Sequence, residues 1–215
     1  MLFRSITYNK YTNFASDGTP VTVLLGLQVV KGDQIIGDGI HATITGGSGS
    51  EDIRGYPNAP FNETIDGGAG ADVVDAGAGD DTIIYDAKDI TLSGGLGNDV
   101  LDLNASGATL LDLMEAGRPV NGALHPTLKS LEKIDLTNGN ADMVVISPAS
   151  LYAMGNANHT LTLDIDPSDR VFLDGLSNWG SAVNPGSAGY DVYTISYTPS
   201  GGSATTLTVK VTTGA

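Results

Sequence analysis

A period of nine residues runs through the first half of this 215-residue chain, and it restricts the fold more than any other property of the sequence. The fullest copies are Gly67-Gly68-Ala69-Gly70-Ala71-Asp72-Val73-Val74-Asp75 and Gly94-Gly95-Leu96-Gly97-Asn98-Asp99-Val100-Leu101-Asp102. Glycine stands at positions 1, 2 and 4, aspartate at 6 and an aliphatic residue at 8. A third copy, Ala76-Gly77-Ala78-Gly79-Asp80-Asp81-Thr82-Ile83-Ile84, lacks only the first glycine. Blocks in this phase start at Gln28, Gly37, Gly46, Asn58, Gly67, Ala76, Tyr85 and Gly94, once three inserted residues, Gly55 to Pro57, are allowed. Position 8 is then Ile35, Ile44, Ile53, Ile65, Val74, Ile83, Leu92 and Leu101, aliphatic every time. A ninth block from Leu103 places Leu110 there, and Asp112 to Val120 breaks the pattern.

A period of this kind is the mark of a parallel β solenoid. Glycine permits positive φ and close packing of one turn on the next, which a Cβ would hinder. The short strand after each turn points its position-8 side chain inward, and stacking the coils pairs the backbone while burying the aliphatic column. No coil could do this alone. The expected fold class is therefore all-β, a parallel β-roll followed by a β-rich capping region with one short helix. The expected division is an N-terminal strand segment over residues 1–27, the roll over 28–111 and the capping region over 112–215.

Position 6 behaves differently from position 8. It reads Asp33, Ala42, Glu51, Glu63, Asp72, Asp81, Ile90, Asp99 and Ala108, so the scaffold extends further than the acidic sites. Carboxylates stacked about 4 Å apart in neighbouring turns would repel by about 1 kcal/mol per pair in water and about 4 at an intermediate dielectric. A cation reverses that sign. Oxygen donors without cysteine suit a hard ion, and a flexible oxygen cage favours Ca²⁺ over the stricter octahedron of Mg²⁺. Taken singly, such features describe a flexible loop, a solvated acidic surface and an ordinary core; their common phase joins them into one structure.

These nonapeptides resemble those of the RTX proteins, bacterial exports that carry haemolysin-type calcium-binding β-rolls. The resemblance implies that successive nonapeptides alternate between two sheets. It also implies that ions sit between turns two repeats apart, held by position-6 carboxylates and backbone carbonyls. One site then pairs Asp81 and Asp99 through the loops bearing Gly77, Gly79, Gly94, Gly95 and Gly97. A second pairs Glu51 and Asp72 through Gly46, Gly47, Gly49, Gly67, Gly68 and Gly70, although glutamate is longer than aspartate and the insertion falls between. Glu63 and Asp81 form a weaker pair, since Asn58-Ala59-Pro60-Phe61 lacks the glycines, and Ile90 leaves Asp72 with no acidic partner on its other side. Two ions are expected, with a third at Glu63 and Asp81 less favoured.

Beyond residue 103 the nonapeptide gives way to alternating, β-branched runs at Met143–Ile146, 161–165, Arg170–Leu173, 190–195 and 206–211, punctuated by Asn-Gly, Asp-Gly and Pro-Ser turns. Only Pro148 to Met154, opened by Ser147 and closed by Gly155, reads as helix. The run from Leu131 to Asp142, this helix, the stretch from His159 to Gly175 with Trp179 soon after, and Tyr190 to Thr194 are similar to the segment that follows the roll in many RTX adhesins and other type I secretion substrates. That likeness implies type I secretion machinery as a partner, a secreted or cell-surface location, and a surface glycan or cell partner reached through other modules.

The formal charge of −15 speaks against nucleic acid and anionic membranes, because no polybasic surface is available. No apolar run is long enough to span a bilayer, the best being Val21 to Val30 with Gly26 and Gln28 inside it. There is no cysteine. His41, His125 and His159 are scattered, and neither H-E-x-x-H nor G-x-S-x-G occurs, so the chain is not expected to be an enzyme. The competing expectation is the C-terminal tail of a secreted hydrolase or polysaccharide lyase whose catalytic domain lies elsewhere. Met1-Leu2-Phe3-Arg4-Ser5 matches a translated sequencing adapter, so the natural chain is expected to begin upstream.

Overall fold

Aliphatic residues one block apart face each other across the roll, and those two blocks apart stack. The computed structural model describes residues 11–14, 20–24, 29–31, 34–37, 43–56, 60–103, 107, 109–113, 126–156, 158–175, 179–180 and 189–212, with side chains from Gln34 onward. The repeat region and the strands before it comprise β1 (Tyr11–Phe14), β2 (Pro20–Leu24), β3 (Val29–Lys31), β4 (Gln34–Ile36), β5 (Thr43–Thr45), β6 (Asp52–Arg54), β7 (Thr64–Asp66), β8 (Val73–Ala78), β9 (Thr82–Ile84), β10 (Thr91–Leu96) and β11 (Val100–Asp102). Then follow β12 (Leu110–Asp112), β13 (Thr127–Lys129), β14 (Lys133–Asp135), β15 (Met143–Ile146), α1 (Pro148–Ala153), β16 (Thr160–Asp164), β17 (Arg170–Leu173), β18 (Tyr190–Tyr197) and β19 (Thr205–Thr212).

Successive repeat strands alternate between two sheets. A ten-stranded sheet runs β1-β2-β5-β7-β9-β11-β14-β16-β19-β18, a six-stranded sheet runs β13-β10-β8-β6-β4-β3, and a three-stranded sheet runs β12-β15-β17. Ile44, Ile65, Ile83 and Leu101 share one parallel register. Ile35, Ile53, Val74 and Leu92 share the other. None of these eight is more than 1% exposed, so the two columns form one continuous core. The insertion at Gly55 disturbs neither register, and the Gly55 amide donates to the Asp75 carbonyl at 2.8 Å.

Parallel stacking continues past the nonapeptide. Ile134 stands on Leu101, Leu163 on Ile134 and Leu128 on Leu92, and all of them are buried. The ninth block loses phase: Leu110 is half-buried whereas Leu111 is fully buried, so the inward position has moved by one residue. In a strand, a one-residue shift exchanges the two faces, and only the buried residue reports which face meets the core.

Both ends of the stack finish in antiparallel strands. β2 pairs antiparallel with β5, β3 with β4, and β18 with β19. The block from Gln28 thus begins as a hairpin rather than a coil, because only Gly32 and Asp33 separate β3 from β4. Helix α1 matches its sequence signals. Ser147 and Ser150 form a reciprocal capping box, Leu151 is buried, and Gly155 takes a positive φ of 75° after the last turn. Among the described residues no helix is long and apolar enough to cross a membrane.

Candidate metal centre

The glycine-rich turns lie directly against one another along each edge of the roll. A Cβ on Gly68 would overlap the carbonyl oxygen of Gly47, and one on Gly70 that of Gly49. On the opposite edge, Gly95 and Gly97 stand against the carbonyl oxygens of Gly77 and Gly79 in the same way. All four residues carrying the contact have positive φ, from 83° at Gly68 to 155° at Gly70, so glycine is required for both space and conformation. The position-1 glycine makes room for the carboxylate of its own turn: a Cβ on Gly67 would lie 2.7 Å from Asp72 Oδ2. Gly46 packs on the Gly67 carbonyl, and Gly94 on Asp99 and the Ser130 carbonyl.

The acidic residues form a ladder on each edge. On one, the Glu51 amide donates to Asp72 Oδ1 at 2.7 Å and the Asp72 amide to Asp89 Oδ1 at 3.2 Å. On the other, the Glu63 amide donates to Asp81 Oδ1 at 2.7 Å, Asp81 to Asp99 Oδ1 at 2.9 Å, and Asp99 to Glu132 Oε2 at 2.9 Å. Glu51, Glu63, Asp72, Asp81, Asp89 and Asp99 are all buried. The structure therefore brings together the loops of Asp81 with Asp99 and of Glu51 with Asp72, as well as Glu63 with Asp81. Asp33, Ala42 and Ala108 lie outside the described residues.

Asp72, Asp81, Asp89 and Asp99 each spend one carboxylate oxygen on the ladder. The second oxygens of Asp72, Asp81, Asp89 and Asp99, each Oδ2, are buried and accept no hydrogen bond. A buried, ionised carboxylate with an unsatisfied oxygen costs several kcal/mol unless a proton or cation answers it. Burial, the largest cause, pushes the carboxyl groups of Asp81, Asp89 and Asp99 up to about 7. It raises Asp72 as well, against the pull of the Glu51 amide. Among the described residues no three histidine, cysteine, aspartate or glutamate side chains converge on one point, so backbone carbonyls must complete any coordination sphere. Paired carboxylates beside aligned glycine carbonyls are an all-oxygen donor set, which fits Ca²⁺.

Two acidic positions differ from the nonapeptide count. Asp72 does have an acidic partner on its far side, supplied by Asp89 at position 5, while Ile90 at position 6 is 56% exposed. The cause is a shorter turn. The Asp89 amide donates to the Asp86 carbonyl at 3.2 Å, closing a tight glycine-free turn over Asp86-Ala87-Lys88-Asp89. Ile90 and Thr91 then both donate to the Asp72 carbonyl, so Ile90 is a bulge that restores the register of Leu92. Glu132 was also absent from the repeat pattern, and Glu132 and Lys133 share the Asp99 carbonyl in the same manner.

The family model described as four copies of the RTX calcium-binding nonapeptide repeat matches residues 59–87 and 91–106. Its two segments leave out 88–90, the second half of the glycine-free turn and its bulge. No curated protein and no solved structure matches the chain.

Proposed function

We propose that Ca²⁺ binds between successive turns on both edges of the roll, whose nonapeptides match the RTX calcium-binding repeat, and that its binding decides whether the roll folds. One ion is held by Asp81 and Asp99 with the carbonyls of Gly77 and Gly79, within the loops completed by Gly94, Gly95 and Gly97. A second is held by Glu51 and Asp72 with the carbonyls of Gly47 and Gly49, within the loops of Gly46, Gly67, Gly68 and Gly70. A third lies between Glu63 and Asp81. The observation that carries this reading is the row of buried carboxylate oxygens with no hydrogen-bond donor, at Asp72, Asp81 and Asp99.

RTX repeats are typical of type I secreted proteins. In the cytosol, where free calcium is low, carboxylate repulsion and glycine entropy keep the roll unfolded and fit for export. Outside, at about 1 mM calcium, a site with a dissociation constant of about 10⁻⁴ M stabilises the fold by about 1.4 kcal/mol. Several coupled sites then decide folding. The module is non-catalytic in this reading; it serves export or surface attachment of a larger extracellular protein through the type I machinery. Far-UV circular dichroism of the full chain tests the switch: strand signal should appear on adding millimolar calcium to the chelated protein. An unchanged spectrum and melting temperature in excess chelator would reject it.

A further inference from the structure

The glycine-free turn Asp86-Ala87-Lys88-Asp89 lies outside the sites above, yet it stacks on the Asp72 turn as the Asp99 turn stacks on that of Asp81. We infer that Asp89 and Asp72 hold an additional Ca²⁺ ion, so that the edge carrying Glu51 and Asp72 binds calcium on both sides of the Asp72 turn. The inference rests on calcium binding by the repeat turns, and it assigns an ion to a turn without repeat sequence.

The backbone geometry at this turn reproduces that of a repeat turn. The Asp72 amide donates to Asp89 Oδ1, and the next amide, that of Ile90, donates to the Asp72 carbonyl at 2.8 Å. At the repeat turn the Asp81 amide donates to Asp99 Oδ1, and the Val100 amide to the Asp81 carbonyl, also at 2.8 Å. Asp72 is fully buried and Asp89 is 2% exposed, and Oδ2 of each accepts no hydrogen bond. The carboxyl groups of Glu51 and Asp89 neighbour that of Asp72 on its two sides, in the turns whose ladder bonds it shares. The carboxylate of Asp86 adds a further negative charge beside both.

The chain contains its own control. Asp166-Pro167-Ser168-Asp169 forms the same turn, with the Asp169 amide on the Asp166 carbonyl at 3.1 Å and the Ser168 amide on Asp166 Oδ1 at 2.9 Å. It stacks on Asp142, whose amide donates to Asp169 Oδ1 at 2.9 Å. There, however, every carboxylate oxygen of the pair is answered. Asp169 Oδ2 accepts from the Asp166 amide at 2.8 Å, Asp142 Oδ1 from the Thr109 amide at 2.6 Å, and Asp142 Oδ2 from Asn138 Nδ2 at 2.8 Å. At the earlier turn neither Asp89 Oδ2 nor Asp72 Oδ2 has a hydrogen-bond donor, and Gly68, four residues before Asp72 as Asn138 is before Asp142, brings no side-chain amide. The same turn is thus closed by protein donors in one place and left open for a cation in the other.

Equilibrium dialysis of the full chain against calcium tests this. Asp89→Asn keeps an Oδ1 acceptor for the Asp72 amide, and it should bind one ion fewer than the wild type, whereas Asp169→Asn should bind the full number. A full count in folded Asp89→Asn, with a reduced count in Asp99→Asn, overturns this site and leaves the repeat sites standing; a wild type that binds no calcium overturns both. If Asp89→Asn does not fold, terbium luminescence decides. Tyr85 is buried beside Asp86 and Asp89, so Tyr85→Phe should lower tyrosine-sensitised terbium emission, and unchanged emission overturns the assignment.

Discussion

The backbone amide of Asp81 donates to the carboxylate of Asp99, on the adjoining turn, at 2.9 Å, while the other oxygen of Asp99 is buried with no donor. Folding and charge are thereby set against each other in one side chain. The ladder needs the carboxylate as an acceptor, and the roll excludes the water that would otherwise solvate its second oxygen. The same opposition recurs at Asp72, Asp81 and Asp89.

Replacing Asp99 by asparagine separates the two roles. Oδ1 still accepts from Asp81, but the charge is gone. In calcium, Asp99→Asn should melt below the wild type, because a site has lost a ligand; in chelator, where the wild-type roll is unfolded, it should show at least as much strand signal, because an unanswered buried charge has been removed. Thermal melts in calcium and circular dichroism in chelator read the two signs, and a melting temperature at or above the wild type in calcium would contradict this role.

Stability in chelator should fall as pH rises. The folded-state values of Asp81, Asp89 and Asp99 are about 7, above the roughly 3.9 of an unfolded aspartate. Groups shifted this way stabilise the fold fully below about pH 4 and lose that contribution as pH climbs through about 7. Far-UV circular dichroism in chelator should therefore show more strand signal at pH 5 than at pH 8. With calcium present the order should reverse, since the ion binds only the ionised carboxylates.

Steric demand at the turns should separate two glycines of positive φ. Gly97→Ala drives a Cβ into the Gly79 carbonyl, whereas a Cβ on Gly139, at φ 78°, meets nothing within 4 Å. Gly139→Ala should cost about 1 kcal/mol from backbone strain alone, and Gly97→Ala more, up to about 3 kcal/mol. Chemical denaturation at saturating calcium measures both.

Phase at the end of the repeat can be tested by truncation. Leu111 is fully buried and Leu110 is not. Leu111→Ala should cost about 2–5 kcal/mol and Leu110→Ala clearly less. Equal losses would place the ninth block back in the nonapeptide phase.

What the sequence made legible was whatever the stacking repeats without variation. Ile35 through Leu101 could be named in advance because every coil needs one aliphatic side chain at one depth, and a polar residue there would have no partner. The juxtaposition of the Asp81 and Asp99 turns follows from the same register. Asp89 escaped because a four-residue turn takes the place of the glycine loop and the spare residue, Ile90, reappears as a bulge; the acid keeps its place in space and changes its place in the count. Glu132 escaped because it joins the ladder 33 residues after Asp99, and no period spans that distance. The control pair, Asp142 and Asp169, shows that stacked acids alone do not specify a cation, since the donors that close them come from Asn138, Thr109 and Asp166, which no acidic pattern reveals.

Anomalous diffraction at a long X-ray wavelength, from crystals of the full chain grown in calcium, tests most directly whether cations answer these oxygens. The expected result is calcium peaks between the Asp81 and Asp99 turns and between the Glu51 and Asp72 turns, within coordination distance of Oδ2 of Asp72 and Asp99. Intact turns with no anomalous peak at either place would mean that protons, not calcium, neutralise the ladder, and would contradict the account.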